Sequence, residues 1–220
     1  MSGTRYNQFC ALARAAEIVG ERWTLLIIRE LLLAPMRFGD LRERLDDISP
    51  ALLTDRLNAL TEAGVVQRAA LPAPFNAQVY ELTETGRAIQ PAIRELIRWG
   101  GRFLFPMRKG ETFEPDWVLL ALEAIARRTA VPQCRIGLRI PHPNGTAGFV
   151  IEGGPEGTRI AKGESSRIAA IEARFDVLLQ ILGRHLPLDE AVASGATRIE
   201  GSAHTLRKLP SLFELATAKR

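Results

Sequence analysis

Thr54 and Asn58 stand four residues apart in the stretch SPALLTDRLNALTEAG, with Ser49 and Ala51 just before them. On a helix, residues three and four apart are neighbours on one face. A hydroxyl and a carboxamide on a shared outer face can exchange hydrogen bonds with the groups that base edges present in a duplex groove. Affinity for such a duplex needs cations beside phosphates, and Arg37 and Arg56 are the candidates. Asn76 and Gln78 lie further on, in and beside a Pro- and Asn-containing connection. Asp55 repels phosphate unless it is paired, and Arg56 has Asp55, Glu62 or another local acid as alternative partners on a solvated helix face.

This chemistry requires a helix gripped by its opposite side. Leu53, Leu57 and Leu60 supply that grip, Ser49-Pro50 is an N-cap followed by proline at the first helical position, and Gly64 is the C-cap residue. Ahead of it the pattern predicts a short helix from Phe38 to Leu45 that buries Phe38, Leu41 and Leu45, entered after Pro35 ends an earlier helix. In that earlier helix Trp23, Leu26, Ile27, Glu30 and Leu31 follow helical spacing. A first helix over residues 7 to 20 carries Phe9, Leu12, Ala16 and Val19. After Gly64, VVQRAAL and VYELT read as two strands of a hairpin. Helix, helix-turn-helix and hairpin together make a winged helix. Thr83-Glu84-Thr85-Gly86 leads into a long amphipathic helix to about Phe105, with Ile89, Ile93, Leu96, Ile97, Gly100 and Phe103 on one side, and a second subunit is the expected cover for it.

The polar, Pro- and Gly-containing segment PMRKGETFEP reads as a linker, dividing the chain into domains 1–110 and 111–220. Beyond it come a helix over 116–130, the strand-like runs CRIGLRI, TAGFVIEG, TRIAKGE and RIAAIEA, and the apolar helix FDVLLQILGRHL. A shorter helix (188–193), a strand (ATRIEG) and a final helix from about His204 to Ala218 complete an α+β pattern. Trp117, Leu120, Phe149, Ile151, Phe175, Leu178, Leu179, Leu182 and Phe213 are the apolar residues that would either line a ligand cavity or fill the core.

At 220 residues and 46% hydrophobic, the chain has ample material for packed cores. Its 29 basic and 25 acidic residues give a net charge of +4, which permits nucleic-acid binding without arguing for it. No apolar run reaches the ~18 residues of a membrane span, and MSGTRYNQFC lacks the apolar core of a signal peptide, so a cytoplasmic protein is expected. Two cysteines, Cys10 and Cys134, cannot build a disulfide framework or a thiolate metal site. His142, His185 and His204 are scattered, and HExxH, GxSxG and phosphate-loop patterns are absent from the sequence. The expectation is therefore no catalytic site, no metal and no cofactor.

Cys10, GERWTLLIIREL (20–31), RFGDL (37–41), ISP (48–50), LTDRL (53–57), Leu60, Gly64 and YELT (80–83) occur in an order and spacing that resemble the HxlR family of bacterial winged-helix transcription regulators. The resemblance covers roughly residues 8 to 105. It implies a homodimer joined through the first helix and residues 87–105, binding a roughly two-fold site on double-stranded DNA. One departure lies in the wing, where PAPFN (72–76) has no basic residue. Several family members carry a regulatory thiol where this chain has Cys10, and Arg14 one turn on would favour its thiolate.

The second half is similar to the sterol-carrier-protein fold through FDVLL (175–179), Leu182-Gly183, Ala191, Ser194-Gly195, RIEGS (198–202), Leu209 and Leu212-Phe213. That similarity implies a small apolar ligand held between a sheet and its helices. Three functions stay open: a regulator controlled by such a ligand, a thiol-redox regulator acting through Cys10, and a lipid-carrier or enzyme module whose winged helix makes protein contacts.

Overall fold

The computed structural model describes residues 5–71, 77–104, 108–111, 114–142, 145–164 and 167–215. The chain divides into two compact units, Met1–Ile93 and Arg94–Arg220, a division that falls earlier than the linker read from the sequence.

The first unit begins with α1 (Ala11–Val19), α2 (Thr24–Leu33), α3 (Phe38–Arg44) and α4 (Pro50–Glu62). Ser49 caps α4 as its sequence predicts, the hydroxyl oxygen accepting the Leu52 N–H at 3.3 Å. At the other end Gly64 takes φ +69°, and the Val65 N–H returns to the Leu60 carbonyl at 2.9 Å, a Schellman closure that satisfies the last carbonyls. β1 (Val66–Ala70) and β2 (Gln78–Leu82) then pair antiparallel, and Met36 adds a one-residue bridge to Tyr80. Ile27, Ile28, Leu31, Leu41, Leu53, Leu57, Leu60, Val66 and Val79 form the buried interior.

Three details differ from the sequence pattern. On α2 the buried side comprises Thr24, Ile27, Ile28, Glu30 and Leu31, while Leu26 is exposed and Trp23 stands before the helix at φ +78°. Glu30 tolerates full burial because Arg29 and Arg44 both pair with it, at 2.6 and 2.7 Å. The first helix starts at Ala11, later than its pattern predicts; on it only Ala13 is buried, while Leu12 and Phe9, which precedes the helix, are open to solvent. The long helix expected after Thr83 is broken into α5 (Glu84–Arg87) and α6 (Gln90–Gly100), followed by a short 3-10 turn, Gly101–Phe103. Pro91 lacks the N–H that a continuous helix would need there, so it serves the first turn of a new one.

The second unit contains α7 (Pro115–Ile125), β3 (Cys134–His142), β4 (Gly145–Gly154), β5 (Gly157–Lys162), β6 (Ala170–Ala173), α8 (Phe175–Leu182), α9 (Leu188–Ala193), β7 (Thr197–Glu200) and α10 (Ala203–Leu206). Its five strands are ordered β5-β4-β3-β6-β7, antiparallel except for β3 beside β6. Strand alternation sends Ile136, Leu138 and Ile140 into the core and Arg135 and Arg139 outward, where they pair with Glu152 and Glu200. The final helix expected to run from about His204 is instead α10 and a 3-10 turn, Leu209–Leu212, with Pro210 inside the turn. Residues 216–218 of that expected helix lie outside the described residues.

Candidate nucleic-acid interface

Successive helical residues are rotated by about 100°, so Ala51, Asp55, Asn58 and Glu62 fall on one side of α4, with Thr54 beside them and the three leucines opposite. Ala51, Thr54, Asp55 and Glu62 are exposed and Asn58 is half-buried. The Thr54 hydroxyl donates to the Pro50 carbonyl at 2.9 Å, leaving its methyl and oxygen lone pairs for outward contacts. Ser49, at the start of the same helix, spends its oxygen on capping and keeps its O–H as a donor. Arg37 precedes α3 and is exposed, its own N–H donating to the Asp40 carboxylate at 3.3 Å. Gln78 opens β2 and is exposed, while Asn76 lies outside the described residues.

Arg56 is placed differently. It lies about 160° around α4 from Asn58 by helical geometry. Its guanidinium meets the Glu21 carboxylate at 3.0 Å, with 21% of the side chain exposed.

A cation that the sequence reading passed over sits on the wing. Arg68 is exposed on β1, and its guanidinium lies 5.6 Å from the ring of Tyr80, its cross-strand partner. The arginine stands in VVQRAAL, but only the register of the folded hairpin sets it opposite the tyrosine of VYELT.

Cys10 is exposed at the N-cap of α1. Arg14, one turn away, is engaged by Glu17 at 3.1 Å, and Glu17 also accepts the Tyr6 N–H at 2.8 Å. The Arg14 guanidinium, and next the Tyr6 amide, hold the Glu17 carboxyl below its ordinary range. Burial pushes the Cys134 thiol up, against forming thiolate.

In the second unit Phe149, Ile151, Leu178, Leu182 and Phe213 are buried within one core cluster, against which Phe175 and Leu179 pack half-buried. Leu120 is buried and Trp117 half-buried. Two surface hollows, of about 330 and 300 Å³, are polar and lie elsewhere: one at the β4–β5 turn, the other beside Arg94, Glu123 and Arg128. Among the described residues no group of three His, Cys, Asp or Glu is placed to hold a metal ion, and no helix is long and apolar enough to cross a membrane.

The family model for HxlR-like helix-turn-helix proteins matches residues 18–108. The HTH-type transcriptional regulator YodB of Bacillus subtilis is 35% identical over 101 residues, 46% of this chain and 90% of YodB. The chain belongs to the HxlR-like helix-turn-helix family. An uncharacterized HTH-type transcriptional regulator of Mycobacterium tuberculosis is 42% identical over 94 residues. That match takes in 43% of this HxlR-like chain and spans 59% of the mycobacterial relative's length. The solved reduced form of YodB aligns with 33% identity and a TM-score of 0.39, covering 46% of this chain and all of that one. The family match lies over the winged helix-turn-helix of α2, α3, α4 and the β1–β2 hairpin, and reaches through α6.

Proposed function

We propose that this HxlR-like chain is a homodimeric transcription regulator that binds double-stranded DNA through α4 and the β1–β2 wing. The observation that carries the reading is α4 itself. A helix capped at both ends and held by three buried leucines presents Ser49, Ala51, Thr54 and Asn58 outward, with Arg37 and Arg68 on neighbouring elements. Asn58 and Thr54 supply base-edge contacts, with Gln78 at the start of β2; Asn76, read with them from the sequence, lies outside the described residues. Arg37 and Arg68 supply phosphate contacts. Family membership supports the reading, since the relatives matched above are HTH-type transcriptional regulators. The homodimer is supported by apolar side chains left open on single elements: Phe9 and Leu12 at α1, Leu96 and Trp99 on α6.

Fluorescence anisotropy against the chain's own upstream DNA, at two salt concentrations, tests this. Binding that weakens steeply with salt and discriminates against a random duplex is the expected result. Absence of binding to either duplex would instead favour a lipid-carrier or enzyme module.

Control by a small apolar ligand is the second part of the reading. Its support is the resemblance of residues 175–213 in sequence to sterol-carrier proteins, together with a five-stranded sheet whose buried face is closed by helices, with Trp117, Phe175 and Leu179 half-buried. A long-chain fatty acid that raises the melting temperature and changes DNA affinity would support it; independence of the two affinities would remove the coupling. The competing reading, oxidation at Cys10, is favoured by that residue's exposure. It is tested by Cys10→Ser, which abolishes any oxidant response if the thiol is the sensor.

A further inference from the structure

Glu21 lies in the turn between α1 and α2, 35 residues before the helix residue that it meets. The turn is held in an unusual backbone state. Trp23 has φ +78°, a conformation costly for a bulky side chain, and the Arg22 guanidinium lies 5.3 Å from its ring. The Thr24 N–H closes the turn onto the Glu21 carbonyl at 3.2 Å. From this turn the Glu21 carboxylate, 52% exposed, reaches Arg56. Among the described residues the buried Arg56 Nε has no hydrogen-bond partner, so the guanidinium is set into the flank of α4 instead of reaching for solvent.

We propose that Glu21 is a positioning residue for DNA recognition: its ion pair with Arg56 fixes the rotation of α4 about its own axis. This rests on the DNA-binding reading of the same helix. Leu53, Leu57 and Leu60 hold α4 by apolar burial, which is non-directional and tolerates small rotations. A charge-assisted hydrogen bond on the flank does not. The rotation matters at the outer surface. On a helix of roughly 5–6 Å radius, a turn of about 10° carries an outer atom about 1 Å, enough to spoil a hydrogen bond from Asn58. Arg56 thus acts through Asn58 and Thr54 without meeting phosphate. It differs in this from exposed Arg68.

Two measurements on the full chain test the proposal, with E21Q, R56A and the exchanged pair E21R/R56E. In free protein, amide exchange across Thr54–Thr61 should quicken about tenfold in E21Q and in R56A, a factor within the coupling range for residues in contact, while the β1–β2 amides keep their rates. The exchanged pair should restore it. For DNA, a duplex selected by the unmodified protein from a random pool is compared with a random duplex across salt. Preference for the selected duplex should fall about tenfold in E21Q and R56A, with the salt slope unchanged, and recover in the exchanged pair.

Unchanged α4 exchange in E21Q, whose altered group is half exposed, would overturn the proposal even if R56A failed to fold. So would an R56A protein that loses affinity equally for both duplexes with a slope shallower by about 0.9, since that is the mark of a phosphate contact. If the unmodified protein binds no DNA, the recognition role falls together with the DNA-binding reading. The exchange data then still report whether the pair holds the helix.

Discussion

Arg68 stacks over Tyr80 at 5.6 Å from the ring, an arrangement that restricts the side chain without neutralising its charge. A cation held in this way meets a phosphate with less entropy to lose than a solvated lysine would. Arg68→Ala is expected to weaken binding to selected and random duplexes alike and to reduce the salt slope by about 0.9. Asn58→Ala is expected to relax preference at one base position by about 1–3 kcal/mol without touching that slope. Anisotropy titrations of the two variants across salt separate these outcomes. That Thr54 and Asn58 share the outer side of α4 was legible in the sequence, because residues four apart share a face whatever surrounds the helix. The destination of Arg56 was not. Nearby acids such as Asp55 and Glu62 are the partners its sequence neighbourhood offers, and its actual partner, Glu21, comes near only once α2 and α4 have packed. Arg68 was hidden for a related reason, since its meaning depends on cross-strand register with Tyr80.

Helix ends explain much at the next scale up. Thr83 caps α5, accepting the Gly86 N–H at 3.0 Å while its hydroxyl donates to the Gly64 carbonyl at 2.6 Å, so the end of α4 and the start of α5 share one residue. Gly86 is buried there, and a Cβ on it would overlap the Val65 carbonyl oxygen. Gly86→Ala is therefore expected to destabilise the first unit by about 1–3 kcal/mol, read as a lower urea midpoint, because backbone cannot yield as a side-chain tip does. In the second unit the C-terminus of α7 is met by cations: Arg98 donates twice to the Ala124 carbonyl, at 3.1 and 2.6 Å, and Arg94 pairs with Glu123. Positive groups at that end complement the helix dipole and the unpaired carbonyls. Elements with local punctuation, such as α4 between Ser49-Pro50 and Gly64, were readable in advance. The α5–α6 break and the shortened α10 were misjudged because apolar periodicity runs on through Pro91 and Pro210, where the backbone does not.

Across the whole molecule, apolar surface is left open on α1 and around α6. Phe9 and Leu12 stand clear of the first unit, and Leu96, Trp99, Phe103 and Leu104 are exposed in the second. Burying such side chains is worth roughly 1.5–3 kcal/mol each, and the proposed homodimer would bury them. Sedimentation equilibrium should find a dimer, and Trp99→Glu should shift it toward monomer while leaving the fold's circular dichroism unchanged. The melting temperature of such a dimer rises with protein concentration, because association and folding are linked. The placement of the tryptophans has an optical consequence. The chain has 3 of them: Trp23 half-buried in the turn that carries Glu21, Trp117 half-buried on α7, and Trp99 60% exposed. Indole emission shifts to the blue when water leaves the ring. Unlabelled protein therefore carries its own reporter, since covering the outer face of α6 moves the emission of Trp99, the indole that is most in water.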